Sequence, residues 1–258
     1  MPLDKITLFD EKSLNHISRP FRNLIINGGM HIHQKGISKT DITTSDIYTA
    51  DRWIINLNST GVWTNSIQND GPLNTGIAKS FKLICTQNVN ELNVNSYIYL
   101  QHQIDGQSLQ ILKKGTDFAE NFTLSFWIKS NFIGKYVIEF IDSDNNRNIK
   151  SHYLVNTANT WERKIITIPG DKVGILKNTS EISFKINFWL AAGEDYISEE
   201  VFSTKWENLD IKNSAIGQIN LAKEVNNYFQ ITGVQMEIGL SPTNFEILPI
   251  NIQKILNS

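Results

Sequence analysis

Two stretches of this chain alternate apolar and polar residues with the period of a β-strand that buries one face. In residues 122–129 the apolar positions are Phe122, Leu124, Phe126 and Ile128. In residues 182–191 they are Ile182, Phe184, Ile186, Phe188 and Leu190. The opposite face of each strand is polar except for one tryptophan, Trp127 in the first and Trp189 in the second.

Shorter runs of the same kind recur along most of the chain, separated by loops that contain Gly, Pro and Asn. They predict strands at residues 22–29, 30–36, 48–57, 62–68, 78–86, 96–104, 135–141, 153–155, 161–169 and 228–238. No amphipathic helix of ordinary length stands out. We therefore predict an all-β fold, an antiparallel jelly-roll β-sandwich over residues 21–258, with its first and last strands paired. Residues 1–20 are polar and weakly periodic, and the pattern fits either a frayed tail, the default for a terminus, or an extended N-terminal arm that orders on a partner.

Charge and cysteine content exclude several classes of function. The 258 residues carry a formal net charge of −2 and no basic block, which argues against nucleic-acid binding. The single cysteine, Cys85, permits neither an intrachain disulfide nor a cysteine-based metal cluster. No stretch approaches the ~18 apolar residues of a membrane span, so we expect no membrane insertion.

The polar faces suggest sugar binding, because an indole offers a flat apolar plate and neighbouring amides and ammonium groups bind hydroxyls. The candidate carbohydrate-binding residues alternate along three strands: Trp127, Trp189, Lys185, Asn187, Tyr97, Tyr99, Gln101 and Gln103. The alternative is that a flanking loop or a neighbouring subunit covers both indoles.

Metal and catalytic chemistry have weaker signals. His31 and His33 lie two residues apart without a third ligand nearby, and residues 142–147 resemble half of a calcium loop but favour a hairpin turn. Carboxylates suitable for glycoside hydrolysis cannot be paired from sequence, and the candidates are Glu139, Asp142, Asp195 and Glu237. We predict no cofactor, no metal site and no catalysis.

Seven segments taken together resemble a family of jelly-roll domains found in bacteriophage tail-fibre and other virion appendage proteins. They are residues 22–28 with 34–36, then 48–53, 101–107, 124–130, 159–171, 228–239 and 242–246. The family patterns include Y-T-x-D-R-W, L-S-F-W-V-K-S, N-T-W with I-P-G-D, and F-Y-I-T-G-V-Q-L-E-V-G. The sequence departs from them at Lys35, where the family has Arg, and at Gln101-His102, where it has Arg-Gln.

The resemblance implies a non-enzymatic, carbohydrate-binding-like jelly roll on the virion surface, as a fibre, knob or decoration protein of the tail or capsid. It implies binding of host or environmental glycans, contacts with other virion proteins through residues 1–20, and a homo-oligomer, with a trimer favoured. The alternative is a purely structural virion adaptor or decoration protein that has no ligand of its own.

Overall fold

The computed structural model describes residues 21–45, 49–197 and 202–257, and they form an all-β antiparallel sandwich of the jelly-roll type. The strands are β1 (Ser38–Ile42), β2 (Trp53–Asn58), β3 (Val62–Gln68), β4 (Ser80–Gln87), β5 (Tyr97–Asp105), β6 (Phe122–Ser130), β7 (Gly134–Asp142), β8 (Arg147–Val155), β9 (Glu162–Ile168), β10 (Ile182–Ala192), β11 (Glu207–Asn208) and β12 (Tyr228–Ile238). A 3₁₀ helix spans Gln107–Leu112, and one α-helix, α1, spans Ile250–Asn257.

The strands pair into two six-stranded sheets. Sheet A has the order β1-β3-β4-β12-β6-β9, and sheet B has the order β11-β8-β7-β10-β5-β2. The two strongly alternating stretches of the sequence lie near the middle of different sheets, β6 in sheet A and β10 in sheet B. Their apolar positions therefore face each other across the sandwich, and their polar positions point outward on opposite sides of the molecule.

The core between the sheets is rich in aromatic side chains. The rings of Phe126 and Phe188 meet edge to face with centroids 5.2 Å apart, and Phe122 meets Phe184 at 6.2 Å. All four side chains are almost completely buried. Burying a side chain of this size contributes about 1.5–3 kcal/mol, so the two alternating strands supply much of the stability of the sandwich.

The predicted first strand, residues 22–29, is wrong. The side chain of Asn23 supplies an acceptor that a neighbouring strand would otherwise supply with a backbone carbonyl. Its Oδ1 accepts from the backbone N–H groups of Ile25 and Met236, at 2.9 and 3.0 Å. A tight turn follows, and at Gly28 a Cβ atom would lie 2.0 Å from the carbonyl oxygen of Val234. Two backbone hydrogen bonds, from Leu24 N–H to the Met236 carbonyl and from Val234 N–H to the Gly28 carbonyl, also hold the segment against β12, but they are too few to form a strand ladder.

Three further predictions about the elements need correction. Residues 30–36 form no strand, and β1 follows them at Ser38–Ile42. The helix α1 was missed, because eight residues with mixed polarity give little periodic signal. The first and last strands do not pair, although the Phe21 N–H donates to Glu246 Oε1 at 2.8 Å, which brings the first described residues beside the last loops. Among the described residues, no helix has the length and apolarity to cross a membrane.

Residues 142–147 form the predicted hairpin turn between β7 and β8. The Asp142 side chain accepts from the turn backbone and pairs with the buried ammonium group of Lys114. Lys114 also lies 2.8 Å from Asp171, which pairs with Arg147 at the same distance. Burial alone would raise the pKa of Asp171, but the hydrogen bonds from Arg147 and Lys114 outweigh it and lower that pKa. This ion cluster is structural, since it ties three loops at one end of sheet B.

Candidate functional site

Six of the eight sequence-predicted binding residues lie side by side on the outer face of sheet B. The β5–β10 register pairs Gln103 with Lys185, Gln101 with Asn187 and Tyr99 with Trp189, and Tyr97 lies one step further along β5. The seventh, Trp189, shares this face and is buried, as are Gln101 and Asn187, whereas the eighth, Trp127, lies on the outer face of sheet A. Trp127 and Trp189 therefore stand on opposite sides of the sandwich and cannot belong to one site.

A chain of hydrogen bonds runs across the middle of this face. Gln103 Nε2 donates to Gln101 Oε1 at 2.6 Å, and Gln101 Nε2 donates to Asn187 Oδ1 at 2.7 Å. Asn187 Nδ2 in turn donates to Glu139 Oε2 at 3.1 Å. The chain leads from the partly exposed Gln103 to the fully buried Glu139, so its amide groups have fixed orientations.

Glu139 is the centre of this network. Its carboxylate accepts three further hydrogen bonds, from Trp189 Nε1 at 3.1 Å, Asn148 Nδ2 at 2.8 Å and Ser214 Oγ at 2.9 Å. Four donors satisfy a carboxylate that is only 1% exposed. Glu139 is thus the hydrogen-bond acceptor around which this buried network is built.

The chain after β10 folds back over part of the outer face. A small apolar cluster forms there between Trp189, Val137 and Ala192 of the sheet and Ala215 of the covering segment. The Tyr196 ring lies 5.5 Å from the Trp189 ring and 5.7 Å from that of Tyr97. The covered alternative therefore holds for Trp189, which is 2% exposed and cannot present an open plate to a sugar.

The part of the face that stays partly exposed lies along β5 and the start of β10. Tyr97 and Tyr99 stack on each other with centroids 5.6 Å apart, and the partly exposed Gln103 and Lys185 lie further along the strands, beyond the row of Gln101 and Asn187. A cavity of about 410 Å³ opens next to Gln103, where β2 has ended and β5 continues. Its lining combines apolar Leu24, Ile26, Ile104 and Ile182 with polar groups that include Arg52, Gln103, Asp105, Gln107, Ser108 and Ser180.

His102 lies behind this face, on the inner side of β5. Its ring is 4.7 Å from that of Trp53, and the side chain is 1% exposed. Burial, reinforced by the charge of Arg52, lowers the pKa of His102 to about 3. The imidazole is therefore neutral at ordinary pH.

The outer face of sheet A carries Trp127 together with aromatic residues that the site prediction missed. Trp161 of the loop before β9 and Tyr228 of β12 are partly exposed there, and Lys129 and Lys82 lie 5.2 and 4.2 Å from their respective ring centroids. The alternation of residues 161–165 was a usable signal, since it places Trp161 and Arg163 on the same face of the strand. The pairing of β6 with both β9 and β12 cannot be read from local pattern.

Two of the other candidate residues, Glu237 and His31, have structural surroundings, whereas Asp195 is exposed. Glu237 accepts from Gln235 Nε2 at 2.7 Å and from the Thr243 backbone at 2.8 Å, and Arg22 lies 3.7 Å away. His31 is partly buried, and burial, with the charge of Lys79, lowers its pKa. In the described part of the chain, no three His, Cys, Asp or Glu side chains converge on a point that could hold a metal ion.

No family model matches the chain, and no curated protein matches it. Among solved structures, one match is the enzymatically active domain of tailspike protein 4 of bacteriophage CBA120. The two chains are 16% identical with a TM-score of 0.46, and the match covers 85% of this chain and 22% of that structure.

Two carbohydrate-binding modules also match. One is TmCBM61 in complex with β-1,4-galactotriose, at 10% identity and a TM-score of 0.41, with 84% of this chain and 99% of that one covered. The other is the family 11 module of the cellulase Lic26A-Cel5E of Clostridium thermocellum, at 10% identity and a TM-score of 0.40, with 78% and 96% covered. At these scores the similarities carry no argument about function, and the fold itself is the conclusion: an antiparallel jelly-roll β-sandwich.

Proposed function

We propose that the protein is a non-catalytic glycan-binding protein of a phage virion surface, and that it binds on the outer face of sheet B. One observation carries the location of the site. Gln103 belongs both to the fixed amide chain and to the lining of the 410 Å³ cavity, with Lys185 and Tyr99 on the same face.

The chemistry of this surface suits a sugar ring. The cavity is lined by apolar side chains together with amides, hydroxyls, a guanidinium, a carboxylate and the imidazole of His102, and its volume lies in the range of small-ligand sites. Gln103 gives one amide proton to Gln101 and keeps its oxygen as an acceptor for a ligand hydroxyl. Lys185 adds a donor on the neighbouring strand.

The amide chain also supports binding in another way. Because Gln103, Gln101 and Asn187 are hydrogen-bonded to one another and to Glu139, their side chains lose little conformational freedom when a ligand arrives. Preorganisation of this kind improves affinity by lowering the entropy cost of association.

The absence of catalysis is part of the proposal. Two of the candidate carboxylates, Glu139 and Glu237, are buried and take hydrogen bonds from several donors. Asp142 is held by Lys114 and by the hairpin backbone. Glycoside hydrolysis needs two carboxyl groups facing the scissile bond, and these three serve the fold instead.

The virion location rests on the seven sequence segments that resemble phage appendage proteins. A weak single site suits such a setting, since several copies on one particle gain avidity. The arm at residues 1–20 and its contacts with other virion proteins lie outside the described residues and stay a prediction.

A glycan array of bacterial polysaccharide fragments, followed by calorimetry on the best ligand, tests the site. We expect Gln103→Ala and Lys185→Ala each to weaken binding about tenfold, the effect of roughly 1.4 kcal/mol of lost hydrogen bonding. Gln87→Ala and Lys172→Ala, exposed residues of the same types outside this site, are the matched controls. Unchanged affinity in both test variants would contradict the location, and release of new reducing ends from the ligand would contradict the non-catalytic assignment.

The structural alternative has its own supporting observation. Three apolar side chains of α1 are exposed to solvent: Ile250 at 50%, Ile255 at 68% and Leu256 at 40%. Apolar residues in such positions suit an interface with a neighbouring chain. If no glycan binds on the array and sedimentation shows an oligomer that Ile255→Glu dissociates, the adaptor role replaces the binding role.

A further inference from the structure

The outer face of sheet A presents a patch that the site on sheet B does not use. We define this cationic–aromatic patch as Lys82, Trp127, Lys129, Trp161, Arg163 and Tyr228. Lys82, Gln230 and Lys129 lie in one row across β4, β12 and β6, and Arg163 pairs with Trp127 in the next row. At about 4.8 Å between strands, the patch extends roughly 14 Å across the sheet from β4 to β9.

Its three aromatic side chains are partly exposed, and two of them carry an ammonium group over the ring. Lys82 Nζ lies 4.2 Å from the centroid of Tyr228, and Lys129 Nζ lies 5.2 Å from that of Trp161. The Trp127 ring packs close to Gly233, since a Cβ atom added at Gly233 would lie 3.2 Å from Cδ1 of that ring. Flat rings beside fixed cations can accept the apolar face of a sugar and an anionic substituent together.

Asp70 holds the middle of the patch in place. Its carboxylate pairs with Lys129, accepts from Trp161 Nε1 at 3.3 Å, and accepts from Gln230 Nε2 at 3.0 Å. Burial alone would raise the pKa of Asp70, but these hydrogen bonds outweigh it and lower that pKa, so the carboxylate stays ionised. The indole of Trp161 and the ammonium group of Lys129 are thus oriented before any ligand binds.

The charges of the patch do not balance. Asp70 neutralises Lys129, but within the described residues no carboxylate lies at ion-pair distance from Lys82 or Arg163. The guanidinium group of Arg163 donates to the Thr243 carbonyl oxygen at 2.7 Å. The other carboxylate of this face, Glu237, lies three rows from the Lys129 row and opposite Arg22. Two unmatched cations therefore flank the three rings.

We propose that the cationic–aromatic patch is a second binding surface, and that its ligand is an acidic polysaccharide chain with carboxylate groups. The rings stack on sugar faces, and Lys82 and Arg163 bind carboxylates along the chain. The proposal does not depend on the site of sheet B, which lies on the opposite side of the sandwich.

The test uses two polymers that share one backbone: oligogalacturonate and its fully methyl-esterified form. We expect binding of the acidic oligomer and at least about tenfold weaker binding of the ester, with affinity falling as salt rises, because screening weakens exposed charge pairs. Lys82→Glu and Arg163→Gln should each weaken binding of the acidic oligomer about tenfold. Trp161→Leu should weaken binding of both forms.

The sheet B variant Gln103→Ala is the control, and it should leave this affinity unchanged. The proposal is overturned if the protein binds neither oligomer, or if it binds the acidic oligomer and the ester equally well. It is also overturned if Gln103→Ala abolishes the binding. Thermal melts of Lys82→Glu and Arg163→Gln, both substitutions of partly exposed side chains, verify that any loss is not unfolding. A failure here leaves the sheet B site standing, because the glycan array and the Gln103→Ala variant test that site separately.

Discussion

The outer faces of sheets A and B share one sequence pattern but differ in how far their central tryptophans are exposed to solvent. Each central strand alternates an apolar inner row with a polar outer row that contains one tryptophan. On sheet B, Trp189 is 2% exposed beneath the segment that follows β10, and its indole N–H donates to a buried carboxylate. On sheet A, Trp127 stays partly exposed beside Trp161 and two lysines.

The difference arises from parts of the chain far from either tryptophan. Ala215 and Ser214 reach Trp189 and Glu139 from more than 20 residues downstream, and they turn an outer surface into a small second core. On sheet A, the described loops at Asp70 and Thr243 contact Lys129, Gln230 and Arg163 but leave Trp127 partly exposed. The alternation determines which side chains point away from the main core, and the loops determine which of those side chains remain exposed to solvent.

Replacement of each tryptophan by alanine should give the largest contrast between the faces. Trp189→Ala empties a buried site and should cost about 3–5 kcal/mol of unfolding free energy. Trp127→Ala removes a partly exposed side chain and should cost about 1–2 kcal/mol. Urea unfolding followed by far-UV circular dichroism measures both. Equal costs would mean that the two indoles are buried to the same extent.

The two central carboxylates should differ in the same direction. Glu139→Leu leaves four buried donors without an acceptor and should cost about 3 kcal/mol. Asp70→Ala leaves donors that water can reach, since the Asp70 side chain is 44% exposed, and should cost under about 1 kcal/mol. A small effect at Glu139 would show that its network contributes little to the fold.

Several strands were predicted closely from local sequence, including strands that are buried on both faces. The bounds of β3 and β12 match the predicted strands to the residue, and β6, β7 and β10 differ from theirs by two residues or fewer. Residues 22–29 failed because Asn23 supplies a side-chain acceptor where a strand would supply a carbonyl. The local pattern of apolar and polar residues does not show that a side chain will replace a backbone carbonyl as the hydrogen-bond acceptor.

The site was predicted only in part, for a related reason. Alternation placed Tyr97, Tyr99, Gln101 and Gln103 on one face of β5, and Lys185 and Asn187 on one face of β10. That these two faces adjoin depends on strand pairing, which the β5–β10 register supplies. The cavity beside Gln103 exists because β2 ends before β5 does, and Arg52 lines it from a loop. Neither fact follows from residue spacing.

Acid should destabilise sheet B through the histidine behind its site. The pKa of His102 falls from 6.5 to about 3 on folding, so its contribution to stability is complete above pH 6.5 and is lost progressively between pH 6.5 and 3. Between pH 7 and 4.5 the loss should be about 2–3 kcal/mol. His102→Leu removes this component, so its unfolding free energy should fall less over the same interval. An identical pH dependence in both proteins would contradict the assignment to His102.

The carboxylate of sheet A should respond only at lower pH and with a smaller effect. The pKa of Asp70 lies below its ordinary value of 3.8, so the contribution of its ion pair is complete above that pH and is lost as pH falls through the lowered pKa. The indole N–H of Trp161 donates to Asp70, so its NMR shift reports the titration. Lys129→Met removes a hydrogen bond that lowers the pKa, and the midpoint should move upward. An unchanged midpoint would show that Lys129 does not hold Asp70 ionised, and the preorganisation of the cationic–aromatic patch would lose its basis.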